Sequence, residues 1–166
     1  MSESSTEQTA QAAEAAKTVV SFEDVKNLAG RDLGYSEWRE VTQEMVNTFA
    51  DATDDHQWIH VDPERAKEGP FGAPIAHGFL TLSMIIPFWS ELFDVTGVKT
   101  KVNYGLDKVR FTSPVKVGAR IRMHGVVKEV SEVKGNGLHL VTDGTIEIEG
   151  EDRPAVVATF LSRFYA

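Results

Sequence analysis

Gly78-Phe-Leu-Thr-Leu-Ser-Met-Ile-Ile-Pro-Phe-Trp-Ser-Glu-Leu-Phe93 is the stretch on which the fold turns. Its apolar residues run almost all round instead of along one stripe, the mark of a helix buried on every side. The strongly apolar part, Phe79 to Trp89, contains Thr81, Ser83 and Pro87 and is too short to span a bilayer. Such a helix needs a partner layer with an apolar face, and the sequence supplies one further along.

Downstream the hydrophobic period changes from helical to alternating. Ile121, Met123, Gly125 and Val127 alternate with Arg120, Arg122, His124 and Val126. Leu138, Leu140, Thr142, Gly144, Ile146 and Ile148 alternate with mostly polar partners, and Val156, Ala158, Phe160 and Ser162 repeat the pattern. Lys134-Gly135-Asn136-Gly137 and Glu149-Gly150-Glu151-Asp152 provide the turns. An antiparallel meander follows, preceded by a strand around 102–111. One face of such a sheet must be covered, and the Gly78 helix is the cover. The predicted class is α+β, with a sheet wrapped on one buried helix.

Upstream, Ser21 and Asp24 form a capping pair for a short helix carrying Phe22, Val25 and Leu28 and ending at Gly30. Residues 33–41 read as one strand with Tyr35 and Trp38. Thr42 caps a second helix, whose Met45, Val46, Phe49 and Ala50 share a face and which must end before Pro63. Residues 1–18, rich in Ser, Glu, Gln and Ala, offer too little apolar surface to offset ordering and read as a disordered tail. Residues 19–166 are then a single domain, the number that 166 residues ordinarily support.

Composition bounds the chemistry. With no cysteine, disulfides, thiolate metal sites and cysteine nucleophiles are excluded. The acidic, polar N-terminus lacks the features of a secretory signal, so the expectation is a cytoplasmic protein without membrane partners. A net charge of −8 argues against nucleic acid. Between Lys99 and Lys128, however, eight basic residues stand against the single acid Asp107. That patch suits a small polyanion; equally, it is a solvated strand face.

The chemistry concentrates in Asp51-Ala-Thr-Asp-Asp-His-Gln-Trp-Ile-His60-Val-Asp-Pro63. On a continuous helix Asp55 and His60 would point about 140° apart. They converge only where the backbone leaves the helix, as the turn formers and Pro63 encourage. A carboxylate and an imidazole sharing one water form an acid–base pair. The residues alone equally allow Asp55 to be a helix cap and His60 a satisfied, half-buried histidine. His56 and His60 have the i, i+4 spacing of a zinc-protease helix, but Gln57 stands where that chemistry needs a glutamate, and no third ligand is fixed among Asp55, Asp62 and His77. Pro74-Ile75-Ala76-His77-Gly78 leads straight into the apolar helix. The unpaired N–H groups at that helix start, approachable at Gly78, could bind a developing oxyanion; glycine there could also merely relieve a tight turn. His77 at that position is ordinarily a packing or capping residue.

The run Asp55-His-Gln-Trp-Ile-His60 resembles the hydratase-2 motif of the MaoC-like (R)-specific enoyl-CoA hydratases, in which Asp-x-Asn-Pro-x-His is usual. Ile75-Ala-His-Gly78, and Asn103-Tyr-Gly105 leading into Val109-Arg-Phe111, resemble the segments that follow it. The resemblance extends from about Val19 to the C-terminus. It implies a hot-dog fold, a curled antiparallel sheet around a long central helix, and a homodimer. It also implies an enoyl-CoA substrate hydrated to the (R)-3-hydroxyacyl-CoA with no metal or other cofactor. Asp55 and His60 become the catalytic pair and the Gly78 N–H the thioester oxygen's partner, with Gln57 and Asn103 assigned to substrate binding. Gln57-Trp58 in place of Asn-Pro, and Asp54 where glycine is usual, bear on acyl-chain preference and loop shape. A hot-dog acyl-CoA thioesterase or a non-catalytic acyl-thioester-binding subunit is the alternative.

Overall fold

A row of small residues lets a helix lie directly on the sheet. Gly125, Gly144 and Ala158 are cross-strand neighbours on three adjacent strands and all face the core. A Cβ on Gly125 would come within 3.1 Å of a Leu92 methyl, and one on Gly144 within 3.3 Å of the Met123 sulfur. A larger residue at 125 would press on the helix, and one at 144 on the Met123 and Phe160 side chains beneath it, because interiors pack without slack.

The computed structural model describes residues 16–166. Strand β1 (Thr18–Ser21) leads into a 3-10 helix (Phe22–Leu28), then β2 (Asp32–Tyr35), β3 (Arg39–Glu40) and α1 (Gln43–Thr53). Two short helices follow, α2 (Trp58–Val61) and α3 (Pro63–Lys67). Next come α4 (Gly78–Ser83), α5 (Ile85–Leu92), β4 (Phe93–Thr96) and the long strands β5 (Thr100–Phe111), β6 (Arg120–Val133), β7 (Gly137–Ile148) and β8 (Val156–Tyr165). The main sheet is antiparallel in the order β2-β6-β7-β8-β5, with β3 also on β6, while β1 and β4 form a separate parallel pair.

The α+β class, the meander and both of its turns are as the alternation predicts. The apolar helix differs in two respects. It is split at Met84 between α4 and α5, because Pro87 has no N–H for the Ser83 carbonyl and its ring crowds that group. It is also not buried on every side. Ile85, Phe88, Trp89 and Leu92 face the sheet, but Phe79 is 68% and Ile86 41% exposed. With Ser83 and Ser90 they form one open stripe at helical spacing, and each serine hydroxyl donates back to a carbonyl four residues earlier.

Residues 33–41 are not one strand. Ser36 interrupts them: its N–H donates to the Met123 carbonyl and its hydroxyl accepts from the Met123 N–H. A side chain thus does the work of the missing ladder bond. The capped segment after Ser21 is 3-10 in form, although Ser21 does accept from the Asp24 N–H. The predicted 1–18 tail falls mostly on residues 1–15, outside the described residues; Lys17 pairs with Asp94 at 3.8 Å and Thr18 opens β1.

Strand β5 is the edge of the main sheet, paired with β8 alone, and carries exposed Val102, Tyr104, Leu106 and Phe111. The basic segment does not act as one patch. Lys101 pairs with Asp94, Arg120 with Glu149, Arg122 with Glu147 and Lys128 with Asp143. Lys99, Lys108, Arg110 and Lys116 have no ion pair among the described residues.

Deleting residues 1–15 is expected to leave the melting temperature within about 2 °C of the full chain, whereas extending the deletion through Ser21 removes β1 and lowers it by several times that amount. Differential scanning calorimetry on the two truncations checks this.

Candidate active site

Helix α1 stops at Asp54, whose φ of 60° and ψ of 25° are left-handed. Aspartate tolerates this conformation better than most side chains. The glycine of the related motif would adopt it freely, so the loop keeps its shape with Asp54 there. The chain then runs non-helically through Asp55, His56 and Gln57 before α2 begins. That break overcomes the angular offset of a continuous helix: ligand atoms of Asp55, His60 and His77 all lie within 4.8 Å of one another.

His60 is 6% exposed and held from two directions. Its own carbonyl accepts from the Gln43 side chain at 2.8 Å, and its Nδ1 donates to the Ile75 carbonyl at 2.7 Å. A carbonyl only accepts, so Nδ1 carries the hydrogen and Nε2 is left bare in the neutral ring. Ile75 is fixed in turn: its N–H donates to the Ile59 carbonyl, and it bridges to Lys116.

His77 is 2% exposed and stacks on His60, with ring centroids 3.9 Å apart and planes 25° apart. Its Nε2 donates to the Asp55 carbonyl at 2.9 Å, and its Nδ1 has no partner among the described residues. Sequence reading set His77 down as packing or capping. The only available signal was its place immediately before Gly78, and neither its bond to Asp55 nor its stacking is legible from spacing.

His60 titrates below its ordinary value of 6.5, chiefly because burial disfavours the cation. His77 adds to this effect, while the Ile75 carbonyl and Asp55 oppose it. His56 goes the other way. It is 48% exposed, bonds Asp51 at 2.9 Å and lies 3.4 Å from Asp54, and the Asp51 bond raises its pKa. The zinc-like spacing of His56 and His60 therefore brings no shared site. The clustered set is Asp55, His60 and His77. Each histidine has its other ring nitrogen committed to a backbone carbonyl, as metal-ligating histidines often do, and the three side chains lie close enough to hold a cation as well as to share a water.

A cleft of about 310 Å³ opens beside His60, lined also by Gly78, Thr81, Phe111, Ser113 and Val156. Gly78 is the first residue of α4. The first intrahelical bond there is Thr81 N–H to the His77 carbonyl, and no side chain caps the N–H groups before it. A Cβ on Gly78 would press within 3.3 Å of the Phe111 ring. Gln57, exposed, stands at the N-cap of α2, its N–H donating to the Asp55 carboxylate at 3.4 Å. Asn103 lies on β5 and lines a separate, more apolar hollow of about 240 Å³ with Leu82, Ile86, Leu106 and Leu161. The structure thus brings Asp55, His60 and Gly78 together and leaves Asn103 apart.

Among known proteins, a family model described as the MaoC like domain matches residues 24–149. The chain belongs to the MaoC-like family. This MaoC-like chain is 47% identical over 150 residues to 3-hydroxyacyl-thioester dehydratase Z of Mycobacterium tuberculosis, an alignment that covers 90% of this chain and 99% of that protein. The X-ray structure of a monoamine oxidase regulatory protein from Archaeoglobus fulgius aligns with a TM-score of 0.72 at 25% identity, over 91% of this chain and 99% of that one. An (R)-hydratase from A. caviae, titled as involved in PHA biosynthesis, shares the fold with a TM-score of 0.64 at 23% identity, over 81% and 94% of the two chains. The fold is the hot dog that the MaoC resemblance implies. Among the described residues, no helix is long and apolar enough to cross a membrane.

The lowered pKa of His60 has a consequence for stability. The unfolded chain protonates this histidine more readily than the folded one. Its contribution is therefore present above about pH 6.5 and is lost as pH falls toward the lower folded value. Urea unfolding at pH 7.5 and 5.5 should show a larger drop for the wild type than for His60→Gln.

Proposed function

We propose that the protein is a hydro-lyase that interconverts trans-2-enoyl and (R)-3-hydroxyacyl thioesters, with acyl-CoA as substrate. The observation that carries this reading is the pairing of a bare imidazole nitrogen on His60 with the Asp55 carboxylate, beside a cleft that also holds the uncapped Gly78 N–H. The dehydratase relative, 47% identical, supports the reaction class.

In the hydration direction the thioester carbonyl accepts from the Gly78 N–H, which stabilises the enolate as water attacks C3. One such donor is worth ~3–4 kcal/mol in a preorganised site. His60 takes a proton from that water at Nε2 while Asp55 accepts its second hydrogen and fixes its direction. The pair then returns a proton to C2, so the enzyme ends the cycle in its starting charge state. Neutral His60 is the form that can begin this cycle, and its lowered pKa keeps it so at neutral pH. The residues bind, orient and move protons without an electrophilic metal. Arg110 and Lys116 adjoin the cleft-lining residues Phe111 and Val115 and are free to meet the CoA phosphates. Gln57, at the mouth of the catalytic loop, remains available to the acyl or pantetheine chain, and this chemistry is assigned to the cytoplasm.

The open stripe of Phe79 and Ile86 and the exposed apolar residues of β5 support a homodimer. Light scattering should give at least twice the 18.3 kDa chain mass, and an active monomer would overturn the assignment.

The activity test follows the absorbance of the conjugated thioester with crotonyl-CoA and a longer enoyl-CoA. Asp55→Asn and His60→Gln should each lower kcat by roughly 10²–10⁴ with little change in melting temperature. His56→Ala should retain most activity, and exhaustive chelation should leave turnover intact. Free thiol release in place of hydration would indicate a thioesterase, and ligand binding without turnover a non-catalytic subunit.

A further inference from the structure

We infer that His77 is the positioning residue of this site, one buried imidazole that anchors the Asp55 backbone through its Nε2–H and sets the ring plane of His60 through its face. The inference deepens the hydro-lyase reading and rests on it.

Two independent contacts carry it. Asp55 sits exposed in a loop, and the hydrogen bond that its carboxylate accepts from the Gln57 N–H is only local. Among the described residues, the bond from His77 Nε2 is the sole one that ties the Asp55 backbone to another element. That ring is also the one stacked on His60 at 3.9 Å. A single side chain from a different stretch of the chain therefore touches both members of the pair.

His77 is itself difficult to move. It is 2% exposed, its carbonyl accepts the Thr81 N–H at 3.1 Å as α4 begins, and the Phe49 ring of α1 lies 4.9 Å away. It does not need to meet substrate to act, and it is absent from the lining of the cleft beside His60. The titratable groups that face His60 are Asp55 and His77; Gln43 from α1 and Ile75 present neutral groups, and the other cleft-lining residues are neutral.

The two contacts separate by substitution. His77→Gln keeps an N–H donor near the Nε2 position but removes the ring. His77→Phe keeps a ring face but removes the donor. If the donor holds Asp55, His77→Phe should lower kcat by about 10²-fold, the cost of misplacing a reacting group by an ångström, with KM for crotonyl-CoA little changed. His77→Gln should recover at least tenfold of that loss. If the stack helps to keep His60 uncharged, His77→Gln should raise the titration midpoint of His60 and move the acid limb of kcat/KM up with it.

The midpoint is read without substrate, from the pH dependence of the His60 ring ¹³C–¹H signal by NMR, in wild type and His77→Gln. An unchanged midpoint, or equal kcat losses in both variants, would overturn the inference. A midpoint shifted in His77→Gln, together with a wild-type protein that hydrates no enoyl-CoA, would instead overturn the hydro-lyase reading and leave the role of His77 standing. Should His77→Phe not fold, the His77→Gln midpoint and pH profile decide alone.

Discussion

The close approach of α5 to the sheet over Gly125, Gly144 and Ala158 is the constraint from which the rest of the molecule follows. Because Gly125 carries no side chain, Leu92 and Trp89 can sit against the strands, and the Trp89 ring meets Phe160 edge-on at 5.1 Å. Once the helix is fixed at that height, its N-terminal extension α4 is fixed too, and with it the point where Gly78 meets Phe111 on β5. The functional end of the molecule is thus aligned by packing at the other end of the same apolar segment.

The site is built on this frame by backbone more than by side-chain pairing. The carbonyl of Ile75 chooses the tautomer of His60, and the carbonyl of Asp55 does the same for His77. Neither choice of tautomer depends on a charged partner, and the one counter-charge beside His60, the Asp55 carboxylate, is outweighed by burial. Burial can then lower the His60 pKa, and a base rather than an acid faces the cleft at neutral pH.

Much of this was legible in the sequence. The switch of period from helical to alternating gave the meander, and Asp55 with His60 stood out because clustered turn formers had to break the helix between them. Other features were not legible, for physical reasons. Apolar character around the Gly78 helix could not distinguish a surface that packs on the sheet from the stripe of Phe79 and Ile86 that remains open, since both are equally hydrophobic. Ser36 reads as a strand residue until its hydroxyl is seen to replace a ladder bond. The basic run between Lys99 and Lys128 looked like a single patch because its acidic partners lie outside it in sequence: Asp143, Glu147 and Glu149 meet it across the sheet, and Asp94 meets it from β4. Asn103 was placed with the site by motif, yet strand geometry sets it beside a different hollow.

The four residues from Ile75 to Gly78 combine the acceptor that orients one imidazole, the second imidazole and the backbone N–H that faces the cleft. Adjacent peptide units have rigidly linked directions, so these parts cannot be adjusted one at a time. Lengthening or shortening this segment by one residue would displace all of them together. For anyone grafting this chemistry onto another scaffold, the transferable unit is therefore that tetrapeptide with the helix start it opens, and the Asp55 loop is the piece to be fitted to it.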